Sequence, residues 1–311
     1  MAQLFINAII ASSGYCLVAI GFVLLLRTAG FFNFAHGSVF ASGAYFTFIA
    51  QRYFGLAALT SAVAGVLLAS LLGCLIEVIV FRPLRSSKHS ALVSMMASIG
   101  VYTALQNVLS VAFGDETRRL ESVIMSQRFD LGLAGMTTAQ AGIVFASMLI
   151  SLVTMAALRA TRLGLKVRAV ADSGELALTV GVNRNRIVLV TASFASAIGG
   201  LAGVLMAFDV HMTPTMGMRP LMMAIVAAVI GGSASIPGLM LASLLLALAQ
   251  QIATWFLPAQ WQGCVAFLVL LRQACETRKT AAGRSPVGGR ALWQCELALM
   301  QLTGIGSVIP W

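Results

Sequence analysis

Few side chains in this sequence are of the types that do covalent chemistry, and they are scattered. The three histidines, His36, His89 and His211, lie far apart, and no nucleophile with a neighbouring base can be recognised around them. The five cysteines show no spacing typical of a metal or redox site. No GxxxxGK[ST] phosphate-binding loop occurs, so the chain does not bind ATP by that device. We therefore predict no catalytic residue, no cofactor and no metal ion.

The amino-acid composition is typical of a membrane protein. Of the 311 residues, 59% are hydrophobic and 10% are charged, whereas soluble domains carry about 25% charged residues. A net charge of +10 would suggest a nucleic acid partner in a soluble chain, but loop charges in a membrane protein fix its orientation. We predict a polytopic membrane protein that contacts the lipid bilayer and no nucleic acid.

Apolar segments recur along the chain, and most of them are long enough to cross a bilayer, at about 20 residues for each crossing. They are residues 3–26, a shorter segment after His36, and 57–81, 91–113, 139–158, 187–208, 220–232, 239–257 and 260–271. The predicted fold is therefore all-α, with eight or nine transmembrane helices, because 220–232 is short enough to be re-entrant. Residues 1–271 form the predicted transmembrane domain, and 272–311 form a basic C-terminal tail that is disordered or divergent.

Two polar, glycine-rich breaks interrupt the hydrophobic segments, one at 32–37 and one at 231–238. Irregular backbone at membrane depth is tolerated only where it lines a cavity or is buried in protein. Segments interrupted by Gly or Pro in both halves of a chain indicate a transport pathway, whereas close helix packing through small residues is the alternative. We assign seven residues in and beside these breaks to a candidate translocation pathway: Asn33, His36, Gly37, Gly43, Gly231, Gly232 and Ser233.

Asn33 and His36 lie three residues apart and therefore share one helical face. A polar pair inside a membrane is costly unless it is hydrogen-bonded or functional. We favour a structural role, in which Asn33 caps the second helix and His36 bonds to a neighbouring loop. Direct contact with a transported molecule is the alternative. We also expect Gly37 and Gly43 to interrupt the second segment.

The distribution of Lys and Arg predicts the orientation. The 82–90 loop has three basic residues and no acid, and the 159–186 loop has six basic residues against two acids. The 114–138 loop has three Arg and four acids. Basic loops remain in the cytoplasm, so we place 82–90, 159–186 and the tail inside and 114–138 and the N-terminus outside.

One acid, Glu77, lies within about a turn of the inner end of its predicted span. Arg82 and Arg85 follow it closely, so we predict a structural ion pair. An ion-coupled transporter needs charges at mid-membrane, and the position of Glu77 near an interface argues against that class.

The basic 159–186 loop contains the sequence pattern of a short helix. Asp172 and Glu175 have the spacing of a capping box, and Gly181 is placed to end the helix. Leu176 and Val180 share one face because they lie four residues apart. The helix packs on its own protein or binds a cytoplasmic partner, and both interpretations remain open. For the second one, the candidate docking residues are Asp172, Glu175, Leu176, Ala177, Val180 and Gly181.

Several stretches, in order along residues 5–271, resemble the inner-membrane permeases of branched-chain amino acid ABC importers, the LivH type. They are NFAHGSVFASGAY (33–45), FRPLR (81–85), LVSMMASIGVYTALQN (92–107), TRLGLKVRAVADSGELALTVGVNRNRI (161–187), GVLMAF (203–208) and AAVIGGSASIPG (227–238). The resemblance implies a multi-pass pore subunit of the bacterial inner membrane that pairs with a second, related permease. It also implies cytoplasmic ATP-binding subunits and a periplasmic substrate-binding protein that delivers leucine, isoleucine or valine. The segment 172–183 is the one that this family would present to an ATPase.

Other functions remain as alternatives to this resemblance. A urea or short-amide importer permease of the same superfamily is the first. An ion-coupled secondary transporter and an assembly protein without a transport role are the others.

Overall fold

The computed structural model describes residues 2–86, 90–120, 128–130, 135–232 and 235–256, together with Gly263 and Ala266. Residues 1–248 form one compact unit, and residues 249–311 are assigned to a second, of which the end of the last long helix and those two residues are described. The predicted tail, 272–311, and most of the predicted last span lie outside the described residues.

Within that part of the chain the protein is almost entirely helical. Its helices are α1 (Ala2–Ala29), α2 (Ala35–Phe54), α3 (Ala58–Ile76), α4 (Arg82–Ser86), α5 (Ala91–Phe113), α6 (Thr138–Ala160), α7 (Arg162–Asp172), α8 (Gly174–Thr179), α9 (Arg184–Asp209), α10 (Met218–Gly231) and α11 (Ile236–Phe256). A π-helical turn, Glu77–Phe81, joins α3 to α4. A short antiparallel hairpin pairs β1 (Arg128–Asp130) with β2 (Gly135–Thr137).

Six helical segments of the described chain are long and apolar enough to cross a membrane. They are Gln3–Ala29, Ala58–Arg85, Ala91–Phe113, Thr138–Ala160, Arg184–Asp209 and Ile236–Thr254. The 20-residue α2 and the shorter apolar α10 accompany them. This confirms the predicted fold class, a mostly α-helical polytopic membrane protein.

Helix α2 is continuous, so the expected interruption at Gly37 and Gly43 is wrong. Both glycines are buried within the helix at places where another backbone approaches. A Cβ atom on Gly43 would lie 2.7 Å from the Cα of Gly200 in α9. The chain break precedes the helix, at residues 30–34, and Gly30 has a φ of +85° there. These glycines therefore allow close helix contact, as small residues do in membrane proteins.

Glycines also allow α9 to pack closely against α2 and α3. A Cβ atom on Gly203 would overlap the backbone carbonyl of Phe40, and one on Gly73 would overlap the hydroxyl of Ser196. Because lipid is as apolar as a leucine side chain, close packing of small residues replaces the hydrophobic effect as the source of attraction between these helices.

Contacts at the two ends of the first unit agree with alternating crossings. At one end, the Gln3 side chain donates to the carbonyl of Gly135 at 3.2 Å. At the other, Arg27 of α1 lies 3.9 Å from Asp172 of α7. The segments that the charges predict as external thus gather at one end, and those predicted as cytoplasmic gather at the other.

Candidate functional site

The basic 159–186 loop contains two helices rather than the one expected. Thr161 caps α7 by accepting the N–H of Gly164 at 3.0 Å. The hydroxyl of Ser173 caps α8 by accepting the N–H of Leu176 at 3.3 Å. An N-cap residue has non-helical backbone, and Ser173 has it, with a φ of −156°. The prediction that Asp172 caps this helix is therefore wrong, because Asp172 is the last residue of α7.

The C-terminal end of α8 has the geometry predicted for it. Gly181 adopts a φ of +79°, which the absence of a Cβ atom makes favourable. Its N–H donates to the carbonyl of Leu178 at 3.1 Å, and the N–H of Val182 donates to that of Ala177 at 2.9 Å. This pair of bonds is a Schellman motif. Gly181 therefore ends the helix, as expected, and fixes the direction in which the chain leaves it.

Helix α8 and its C-cap residue present three aliphatic side chains to solvent. Leu176, Leu178 and Val180 are 69%, 56% and 74% exposed. We call these three residues the docking surface. Ala177, in contrast, is buried with Val170 of α7 and Ile187 of α9. The assignment of Ala177 to the contact face is therefore corrected, since its side chain packs against its own chain. The side chain of Glu175 lies outside the described residues.

Polar contacts hold this helix pair against the inner ends of α1 and α9. Asp172 forms the ion pair with Arg27 already described. Arg184, in the first turn of α9, donates to the carbonyl of Ala29 at 3.5 Å. Gly174 lies so close to Arg184 that an added Cβ atom would be 3.0 Å from its Nε. The docking surface is therefore exposed on a support that is attached at several points.

A buried ion pair lies at the π-helical turn between α3 and α4. Arg85 Nη2 donates to Glu77 Oε1 at 2.5 Å, and the two side chains are 13% and 4% exposed. Arg85 Nε also donates to Asn185 Oδ1 of α9 at 3.2 Å. The predicted structural ion pair is confirmed, with Arg85 as the partner. It also connects the inner end of α3 to the start of α9.

The break before α2 is fixed by hydrogen bonds. Asn33 Oδ1 accepts the N–H of Ala35 at 3.0 Å, which confirms its capping role. Ser98 of α5 accepts the N–H of Phe34 at 3.1 Å. The irregular backbone between α1 and α2 is therefore bonded to a neighbouring helix.

His36 lies in the helix packing and not against a loop, so that part of the interpretation is wrong. Its imidazole is 1% exposed. Added Cβ atoms on Gly21 of α1 and Gly199 of α9 would lie 2.8 Å and 2.6 Å from the ring. Neither ring nitrogen has a well-formed hydrogen bond with the described residues, although the Val18 backbone interacts with the ring. His36 thus fills a slot that two glycines leave open.

The second break is partly described. Helix α10 ends at Gly231, and Gly232 follows with a φ of +76°. A Cβ atom on Gly231 would lie 2.5 Å from the carbonyl of Gly238, so the two arms of the break touch. Ser233 lies outside the described residues. Close packing against Gly238 thus accounts for the glycine at position 231. The assignment of both breaks to a translocation pathway stays a prediction.

Sequence reasoning missed several residues that position these sites. Gly21 and Gly199 look like ordinary small residues of apolar helices, and only the position of His36 gives them a role. The spacing of Ser173 and Leu176 was a readable capping signal, but Asp172 competed with it. Within the described ranges, no group of three or more His, Cys, Asp or Glu side chains could hold a metal ion.

Residues 4–272 match the family described as the permease component of the branched-chain amino acid transport system. The high-affinity branched-chain amino acid transport system permease protein LivH of Escherichia coli is 32% identical over 284 residues, which cover 87% of this chain and 91% of that protein. The corresponding protein BraD of Pseudomonas aeruginosa is 30% identical over 287 residues, or 86% and 91% of the two chains. A probable LivH of Methanocaldococcus jannaschii is 25% identical over 264 residues, 81% of each chain.

No solved structure gives a significant match. The family match covers most of the chain and includes the glycine packing and the two breaks. The chain therefore belongs to the family of permease components of branched-chain amino acid transport systems.

Proposed function

We propose that this chain is a membrane-spanning permease subunit of an ATP-binding-cassette importer that moves branched-chain amino acids across a bacterial inner membrane. Its relatives are named as permeases of high-affinity branched-chain amino acid transport. Membership of the family implies ATP-binding and substrate-binding partners in general. The observation that carries the proposal is the docking surface, a set of exposed aliphatic side chains on a helix that is capped at both ends within a basic loop.

The docking surface is suited to a protein partner. A six-residue helix is unstable alone in water, so this one depends on its caps and on the burial of Ala177. It then leaves Leu176, Leu178 and Val180 exposed, although burying an aliphatic side chain contributes about 1.5–3 kcal/mol. We assign this surface to a cytoplasmic ATPase. ATP hydrolysis then takes place in that separate subunit.

A route for coupling follows from the contacts behind α8. A displacement of α8 is transmitted to α9 through Ala177 and Ile187, which lie in one buried cluster. It reaches α1 through the ion pair between Asp172 and Arg27. Because α9 packs on α1, α2 and α3, a tilt of α9 moves the helices around the predicted pathway together. Such a tilt would switch access between the two sides of the membrane.

The other partners complete the importer. A second, related permease covers part of the apolar surface of this chain, and lipid covers the rest. A periplasmic binding protein delivers the amino acid at the opposite end from α8. Asn33 and His36 then set the geometry of the first break, and the glycines beside them allow the helices to slide closely over one another.

The experiment is a substitution of Leu176 by Asp in the assembled transporter. Loss of one buried aliphatic contact alone corresponds to about 10-fold or more in affinity, and a desolvated charge adds to that cost. We expect ATPase copurification and leucine uptake both to fall at least about 10-fold. Leu56→Asp is the matched control, since Leu56 is an exposed aliphatic residue at the opposite end of the first unit, and it should leave copurification unchanged.

Two outcomes would contradict the proposal. Full ATPase binding and uptake in Leu176→Asp would show that α8 is ordinary loop packing. Uptake of labelled urea by the wild-type transporter, with no uptake of labelled leucine, would assign the chain to a short-amide importer instead.

A further inference from the structure

A cavity of about 340 Å³ lies between α1, α6 and α9, away from both breaks. Small-molecule sites have volumes of about 300–1,000 Å³ and combine apolar walls with a few polar groups, and this cavity has both features. Its apolar wall is formed by Ile10, Ile143 and Met206. Its polar groups come from Asn7, Tyr15, Gln140 and Asp209.

Helix α1 supplies one whole side of this cavity. Asn7, Ile10 and Gly14 recur at intervals of three and four residues, so they lie on one helical face. Gly14 keeps the cavity open, because an added Cβ atom would already be 3.8 Å from the Met206 sulfur across it. A larger side chain at that position would occupy the space.

Asp209, the last residue of α9, has a fixed position at the cavity wall. Its carboxylate accepts hydrogen bonds from the side chains of Thr137 and Gln140. These two residues also form the capping box of α6, with bonds of 3.2 Å and 3.1 Å between them. The start of α6 therefore orients the carboxylate, and a carboxylate has acceptor capacity for more than two bonds.

Among the described residues, no Lys, Arg or His nitrogen is found within ion-pair distance of the Asp209 carboxylate. The ion pairs found among the described residues involve Glu77 and Asp172 and do not include Asp209. A partly buried carboxylate without a counter-charge is costly. A cationic group of a ligand would remove that cost.

We infer that this cavity binds a zwitterionic aliphatic amino acid, with its α-ammonium group on the carboxylate of Asp209. This inference rests on the proposed function and adds a binding site for the substrate. The aliphatic side chain packs against Ile10, Ile143 and Met206. The α-carboxylate then faces the amide of Asn7 and the hydroxyl of Tyr15, a residue on which the charge of Arg219 acts.

The chemistry of the walls favours this occupant over simpler ones. A metal ion or an ammonium ion would leave the apolar wall against water, and urea would leave the charge of Asp209 uncompensated. The cavity also lies at the end where Gln3 contacts Gly135, which the sequence places outside. An amino acid released by an external binding protein would meet this cavity before it reached the interior of the membrane.

The test uses uptake of labelled leucine by the complete transporter, at matched amounts of assembled complex. Asp209→Asn keeps an oxygen acceptor for Thr137 and Gln140 but removes the charge, so we expect the uptake rate to fall at least about 10-fold. Glu116→Gln is the control, because Glu116 is an exposed acid in the external loop outside the cavity. It should keep the wild-type rate.

A second variant tests the cavity without changing any charge. Gly14→Leu fills the space, so it should also lower uptake at least about 10-fold while ATPase copurification stays at the wild-type level. Gly142→Leu on α6 is its control, since nothing lies within 4 Å of an added Cβ atom there. If Asp209→Asn fails to assemble, Gly14→Leu decides alone.

The inference is overturned if either assembled variant retains more than half of the wild-type uptake. Failure of the proposed function would look different. In that case the wild-type transporter itself would not take up leucine, or it would not bind an ATPase.

Discussion

The two conspicuous sites of this permease, the docking surface and the slot around His36, are built in opposite ways. Leu176 and Val180 are large apolar side chains left exposed on a short helix. His36 is a polar side chain buried among helices, where Gly21 and Gly199 make room for it. The first arrangement leaves apolar side chains unburied in this chain. The second uses close contact to fix the relative positions of α1, α2 and α9.

This difference predicts where a substitution should act. Substitutions at the buried contacts between helices should reduce the stability of the subunit itself, because packed interiors have no spare volume. Changes on the docking surface should spare stability and reduce coupling to the ATPase. The stability of the purified subunit in detergent, measured by thermal unfolding, distinguishes these two kinds of substitution.

The largest expected effect is at the buried ion pair. Glu77→Gln leaves the Arg85 guanidinium without its carboxylate, and breaking a buried pair costs about 3–5 kcal/mol. We expect a marked drop in the unfolding temperature. The double variant Glu77→Gln with Arg85→Gln should recover part of that loss, because no unpaired charge remains. Equal losses in the single and double variants would show that the pair contributes little beyond its volume.

A smaller loss is expected where backbones touch. Gly203→Ala places a Cβ atom against the carbonyl of Phe40, and overpacking of this kind costs about 1–3 kcal/mol. The same change at Gly100, where nothing lies within 4 Å of an added Cβ atom, should stabilise the helix slightly, since Ala is favoured over Gly by about 1 kcal/mol. If both substitutions changed the unfolding temperature in the same direction, the distinction between packed and lipid-facing glycines would be wrong.

The end of α8 should show a local effect. Gly181→Ala forces a Cβ atom into a left-handed conformation, which costs roughly 1–2 kcal/mol. We expect faster amide hydrogen exchange in α8 and weaker ATPase copurification, with the unfolding temperature of the subunit nearly unchanged. A large drop in that temperature would mean that the loop belongs to the same cooperative unit as the core.

The smallest effects separate the two candidate caps of α8. Ser173→Ala removes the observed cap and should cost about 1 kcal/mol of local stability. Asp172→Ala removes an ion pair whose carboxylate is 78% exposed, and such surface pairs contribute about 0–1 kcal/mol. Hydrogen exchange at the N–H of Leu176 should therefore accelerate more in the first variant. The reverse order would restore Asp172 as the cap.

Composition and local patterns along the chain are enough to predict a membrane protein, the six long spans of its described part and several local features. Hydropathy reports spans well, because every backbone polar group in lipid has to be bonded within its own helix. The end of α8 at Gly181, the cap by Asn33 and the pair between Glu77 and Arg85 were also predictable. Each depends on residues that are close together along the chain.

Which side chains face inward depends on how helices from distant parts of the chain pack together. Ala177 is buried because Val170 and Ile187 come from two other helices, and its neighbours in sequence give no sign of this. His36 occupies a slot formed by residues 15 and 163 positions away, Gly21 and Gly199. The wall of the cavity beside Asp209 likewise combines α1, α6 and α9. Local patterns set hydrogen bonding within a helix, whereas the lateral fit of helices depends on the shapes of surfaces that are distant in sequence.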